Sequence, residues 1–82
     1  MPGAPIGSEV GLYYDSREYR VAEGDYIRTA TGRTYLVISV RVAERGKHAG
    51  VRQHLRCIVV DFDHPQEGDR VYPLQWYRRG RR

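Results

Sequence analysis

At 82 residues the chain makes one domain, close to the size at which an apolar core needs staples, and with Cys57 as its only cysteine it has no internal disulfide to draw on. No apolar run approaches the roughly 18 residues of a membrane span, and residues 1–8 hold neither the basic nor the apolar part of a secretory leader. The net charge of +4 excludes no partner by sign alone, because it is laid down in alternating blocks.

Residues 1–25 hold five acids against two arginines, and 26–56 hold six arginines and Lys47 against Glu44. Residues 57–70 return to acid, and 71–82 carry four arginines. Such blocks suit a polyanion or a charge-complementary protein surface. Thirteen arginines against one lysine, without asparagine, point to a G+C-rich coding genome. The lone thiol fits a reducing compartment. The expectation is a soluble, intracellular or particle-associated protein.

Taken in order, MPGAPIGS is an arm with two prolines and two glycines. Val10 to Tyr14 predicts a short strand, ended by a turn at Asp15-Ser16. Arg17, Tyr19 and Val21 alternate with Glu18, Arg20 and Ala22, which predicts a second. Gly24-Asp25 is a turn signal, Tyr26 to Thr29 a third strand, and Thr31-Gly32 the hairpin into the main one. That main strand runs from Gly32 to Val42. Its even residues Leu36, Ile38, Val40 and Val42 are apolar, so they are the expected core face.

Glu44 to Gly50 is a polar loop with two glycines. Arg52 to Asp61 is the partner strand, with Leu55, Cys57 and Val59 on one face and Ile58, Val60 and Phe62 on the other. Asp63 to Asp69 is a turn region. Arg70 to Trp76 is the last strand, placed at an edge because Pro73 lacks a ladder donor. No segment shows helical periodicity.

Five to six short strands predict an all-β fold: a small antiparallel SH3-like barrel or rolled sheet, with an OB-like barrel as the second choice. The divisions are an arm over 1–9, a domain over 10–77 and a basic tail over 78–82.

Catalysis finds no support in the residue pattern. Cys57 and His54 lie an odd number of residues apart on a strand and so face opposite ways. His48, His54, His64 and Cys57 show no metal-binding spacing, and neither metal nor cofactor is expected. The loop Arg45 to Gly50 lacks the order of a phosphate loop, and its glycines and cations are compatible equally with a generic anion nest and with a flexible solvated loop.

The aromatic residues carry more. Seven tyrosines and Trp76 stand among arginines, a mixture that suits wet contact surfaces. Tyr72, Trp76, Tyr77, Tyr13, Tyr14 and Tyr19 form the expected interface, either with a protein partner or with a second copy. The alternative is nucleic-acid binding through Arg41, Arg45, Lys47, Arg52, Arg56, Arg78 and Arg79. No membrane partner is expected.

Gly24-Asp25-Tyr26-Ile27-Arg28 followed by Thr31 to Val40 resembles a hairpin of SH3-like barrels found in small bacteriophage head-closure and connector proteins. The resemblance spans about 17 residues and holds no catalytic motif. It implies a non-enzymatic assembly module in the host-cell cytoplasm or the virion, docking through its terminal arms. It transfers no functional residue.

Overall fold

The computed structural model describes residues 4–74, and the expectations placed on Trp76, Tyr77, Arg78 and Arg79 lie outside the described residues. Five strands form: β1 (Glu9–Asp15), β2 (Tyr26–Thr29), β3 (Thr34–Val42), β4 (Arg52–Val60) and β5 (Val71–Leu74). They make one sheet in the order β1-β4-β3-β2-β5. The all-β expectation holds, with one change of orientation. Neighbours run antiparallel except β5, which lies parallel to β2.

The parallel pair follows from the connection. Residues 61–70 are too many for a hairpin and must carry the chain from the end of β4 back to the start of β2. They pass over the outer face on the way. There the Arg28 guanidinium lies 4.1 Å from the centroid of the Phe62 ring, and the His64 ring meets Tyr26 at 5.9 Å. This cover accounts for the burial of Tyr26 and Thr34 on the side of the sheet away from the core.

The core lies on the other face. Leu12 and Tyr14 of β1, Ile27 of β2, Tyr35 and Val37 of β3, Leu55, Cys57 and Val59 of β4, and Leu74 of β5 fill it, with Val21 added from a loop. The sheet rolls around these side chains. Tyr14 on one edge strand comes within 5.9 Å of Tyr72 on the other, centroid to centroid. Rolling brings the two apolar edges together without hydrogen-bonding them.

Two local expectations change. Residues 17–21 form no strand: the Ser16 hydroxyl accepts the N–H groups of Glu18 and Tyr19, which turns the chain instead. The core face of β3 is not Leu36, Ile38, Val40 and Val42. Val37 pairs with Cys57 and Ser39 with Arg56, so Ile38 is an extra residue in a bulge. Tyr35 and Val37 face the core before it and Val40 packs there after it, while Val42 is 37% exposed.

The ends of the sheet are tied down by backbone contacts. The Val59 N–H donates to the Ser8 carbonyl at 2.9 Å, and the Gly7 N–H donates to the Val59 carbonyl at 2.8 Å. Arg33 donates to the Ala4 carbonyl. At the opposite end, the Gly50 N–H donates to the Ala43 carbonyl and the Ala43 N–H to the Arg52 carbonyl, closing the loop between β3 and β4.

Candidate binding surface

β4 organises the outer face. Gln53, Leu55 and Cys57 point into the core, so strand alternation turns Arg52, His54 and Arg56 outward. Register then sets their neighbours. Asp15 lies beside Arg52; Tyr13, His54 and Arg41 form one row across three strands; Gly11, Arg56 and Ser39 form the next.

The row is tightly organised. Arg52 donates to both carboxylate oxygens of Asp15, Nε to Oδ1 at 2.8 Å and Nη2 to Oδ2 at 2.9 Å. That hydrogen bond raises the already high pKa of the guanidinium. The same guanidinium lies 4.9 Å from the centroid of Tyr13, whose ring meets His54 at 4.7 Å. Arg56 pairs with Glu9. Tyr13, 58% exposed, stands between a cation and an imidazole.

The expected interface tyrosines divide. Tyr13 and Tyr19 are exposed, but Tyr14 is a core residue at 7% exposure, and desolvation is the main cause of its raised pKa. Tyr72 is half-buried between Tyr14 and Tyr19, the latter ring 6.0 Å away. The four rings therefore serve two places: a seam where the sheet edges meet, and Tyr13 on the outer face.

The expected cations divide as well. Arg52 and Arg56 are engaged by carboxylates. Arg41, Arg45 and Lys47 are exposed and form no ion pair among the described residues. In the loop that carries Arg45 and Lys47, the N–H groups of Ala49, Gly50, Val51 and Arg52 all donate to loop carbonyls. They are spent on closing the loop.

Glu9, Asp15 and Gln53 escaped the sequence reading. For the two acids a signal existed, since they alternate with Gly11 and Tyr13 along one strand face. Cys57 is wholly buried, and desolvation pushes its thiol up to about 11. His54 lies on the opposite face of β4. Among the described residues no group of three His, Cys, Asp or Glu side chains converges on a metal position.

Comparison with known protein families, curated proteins and solved structures returns no match. The functional reading rests on the outer face.

Proposed function

We propose that the chain is a non-enzymatic binding and assembly module whose contact surface is the outer face around Tyr13. One observation carries this reading. Tyr13 is an exposed ring already held between Arg52 and His54, beside two β4 arginines that are paired with Asp15 and Glu9. A ring ordered before contact loses little freedom on binding, and Tyr beside Arg is a common anchor of protein interfaces. Arginines already paired with carboxylates leave the ground around Tyr13 better suited to a protein partner or a second copy than to a phosphate backbone. The phage-like hairpin over residues 24–40 supports assembly into a ring or particle as the setting, in a host cell or a virion.

Nucleic-acid binding is the second reading, favoured by the unpaired Arg41, Arg45 and Lys47 at one end of the same face. A salt series of anisotropy titrations with labelled single-stranded DNA, duplex DNA and RNA separates the two. The assembly reading expects no saturation at micromolar protein in physiological salt. Saturable duplex binding that weakens with a log–log slope of about −0.9 per phosphate neutralised, and is lost in Arg41→Glu with Lys47→Glu, would replace it.

A further inference from the structure

Among the described residues the outer edge of β1 is open. Val59 N–H donates to the Ser8 carbonyl just before β1, and Ser16 N–H donates to the Val51 carbonyl just after it, at 3.3 Å. Antiparallel pairing alternates, so Val10, Leu12 and Tyr14 turn their peptide groups toward β4. Glu9, Gly11 and Tyr13 turn theirs outward. Among the described residues these outward N–H and C=O groups have no hydrogen-bond partner.

The two edges of the sheet are treated differently. β5 contains Pro73, which cannot donate to a ladder and so discourages another strand from pairing. β1 has seven residues and neither proline nor lysine. Its two acids would ordinarily repel an incoming strand, but Glu9 and Asp15 are drawn onto Arg56 and Arg52 of β4.

Gly11 is a second, independent observation. A glycine in mid-strand weakens the strand, yet nothing among the described residues calls for this one. Its φ is not left-handed, and an added Cβ would meet only the Leu55 carbonyl oxygen, at an ordinary 4.0 Å. Glycine in a strand marks a bulge, a tight bend of a rolled sheet or a close approach of another backbone, and the register of β1 on β4 runs through Gly11 without a bulge.

We propose that a second copy of this chain pairs its own β1, antiparallel, along this edge, with the two-fold axis at Gly11. This rests on the assembly reading and names its partner. About that axis each Gly11 faces its counterpart, and each Glu9 faces the other copy's Tyr13. Glu9 and Asp15 stay on Arg56 and Arg52 of their own copy, so no uncompensated like charges meet across the axis. Every outward N–H and C=O of Glu9, Gly11 and Tyr13 gains a partner, and one sheet runs through both copies.

The test traps the contact in the full chain. Residues opposite each other in a hydrogen-bonded antiparallel pair have Cα atoms about 5.5 Å apart, within the span of a disulfide. A Gly11→Cys chain under mild oxidation is expected to cross-link to a dimer many-fold faster than an Ala22→Cys control at an exposed turn away from the edge. Cys57, being buried, stays out of the exchange. Gly11→Lys sets two ammonium groups against each other at the axis, and is expected to lower the mass in light scattering from dimer to monomer with an unchanged circular dichroism spectrum. Cross-linking no faster than the control overturns the proposal. So does a wild-type oligomer whose mass Gly11→Lys leaves unchanged, although that result spares assembly through another surface. A wild-type chain monomeric at all concentrations removes self-pairing altogether.

Discussion

Gln53 and Val21 exchange two hydrogen bonds: the Val21 N–H donates to Gln53 Oε1 at 2.9 Å, and Gln53 Nε2 donates to the Val21 carbonyl at 2.8 Å. The carboxamide does for Val21 what a neighbouring strand would do. Both residues are buried, at 2% and 3% exposure, so neither backbone group has water as a substitute. A single side chain of β4 thus pins the loop that covers the core.

Gln53→Leu keeps the approximate volume but orphans both Val21 groups. We expect a loss of about 2–6 kcal/mol in urea unfolding, from one to three for each of the two buried groups left unpaired. Gln53→Glu retains the acceptor for the Val21 N–H but sets an oxygen against the Val21 carbonyl. Its stability should recover as acid protonates the new carboxyl and restores a donor.

The Cys57 thiol gives the fold an alkaline limit. Unfolded, it ionises near its ordinary 9.0; folded, burial holds the proton until about 11. Between those values the folded chain binds more protons, so its stability is intact below pH 9 and falls as pH rises through 11, by about 2–3 kcal/mol in all. Tyr14, also raised by desolvation, acts in the same direction. Urea titrations from pH 8 to 11 should show this slope, and Cys57→Ala should flatten it even though the smaller side chain lowers stability throughout. An alkylating reagent should label Cys57 only when the chain unfolds.

The β2–β3 hairpin depends on Gly32, whose φ of 92° lies in the left-handed region. This lets its N–H reach the Thr29 carbonyl at 2.9 Å while Thr29 N–H reaches Arg33. A Cβ there would meet nothing within 4 Å, so the cost of Gly32→Ala is conformational: about 1 kcal/mol. Gly32→Asn should lose less, since asparagine tolerates this region. Thermal melts of the three chains would rank them.

Phe62 is 55% exposed, yet it is more than surface decoration. Arg28 lies over its ring and donates to its carbonyl at 2.8 Å, while Arg28 Nε reaches Thr34 Oγ1 at 3.3 Å. Phe62→Ala should cost about 1 kcal/mol in calorimetry through loss of the cation–π contact. Phe62→Leu should fall between the two, retaining apolar cover without the ring quadrupole.

Strand positions were legible wherever alternation was clean. Leu55, Cys57 and Val59 alternate with polar residues at first and point inward, as expected. In β3, residue type favoured the even face, since Tyr35, Ser39 and Arg41 on the odd face are polar or amphipathic. The amphipathic Tyr35 ring and Val37 nevertheless take the core, and the bulge at Ile38 then exchanges the two faces. Residues 17–21 alternate too, but the Ser16 turn and the Gln53 carboxamide give their backbone other partners. On the candidate surface, the arginines and Tyr13 could be read from the sequence as residue types. The pairing of Arg52 with Asp15 and of Arg56 with Glu9 could not, because those positions are far apart in the chain. Tyr14 could have been separated from Tyr13 by parity with Leu12.

Light scattering with in-line size exclusion, run on the full chain without ligand at low and at high salt, tests the central claim most directly. The account predicts a discrete oligomer whose mass is the same at both salts, since the contact is made by backbone hydrogen bonds that salt does not screen. A monomer at both salts would contradict it.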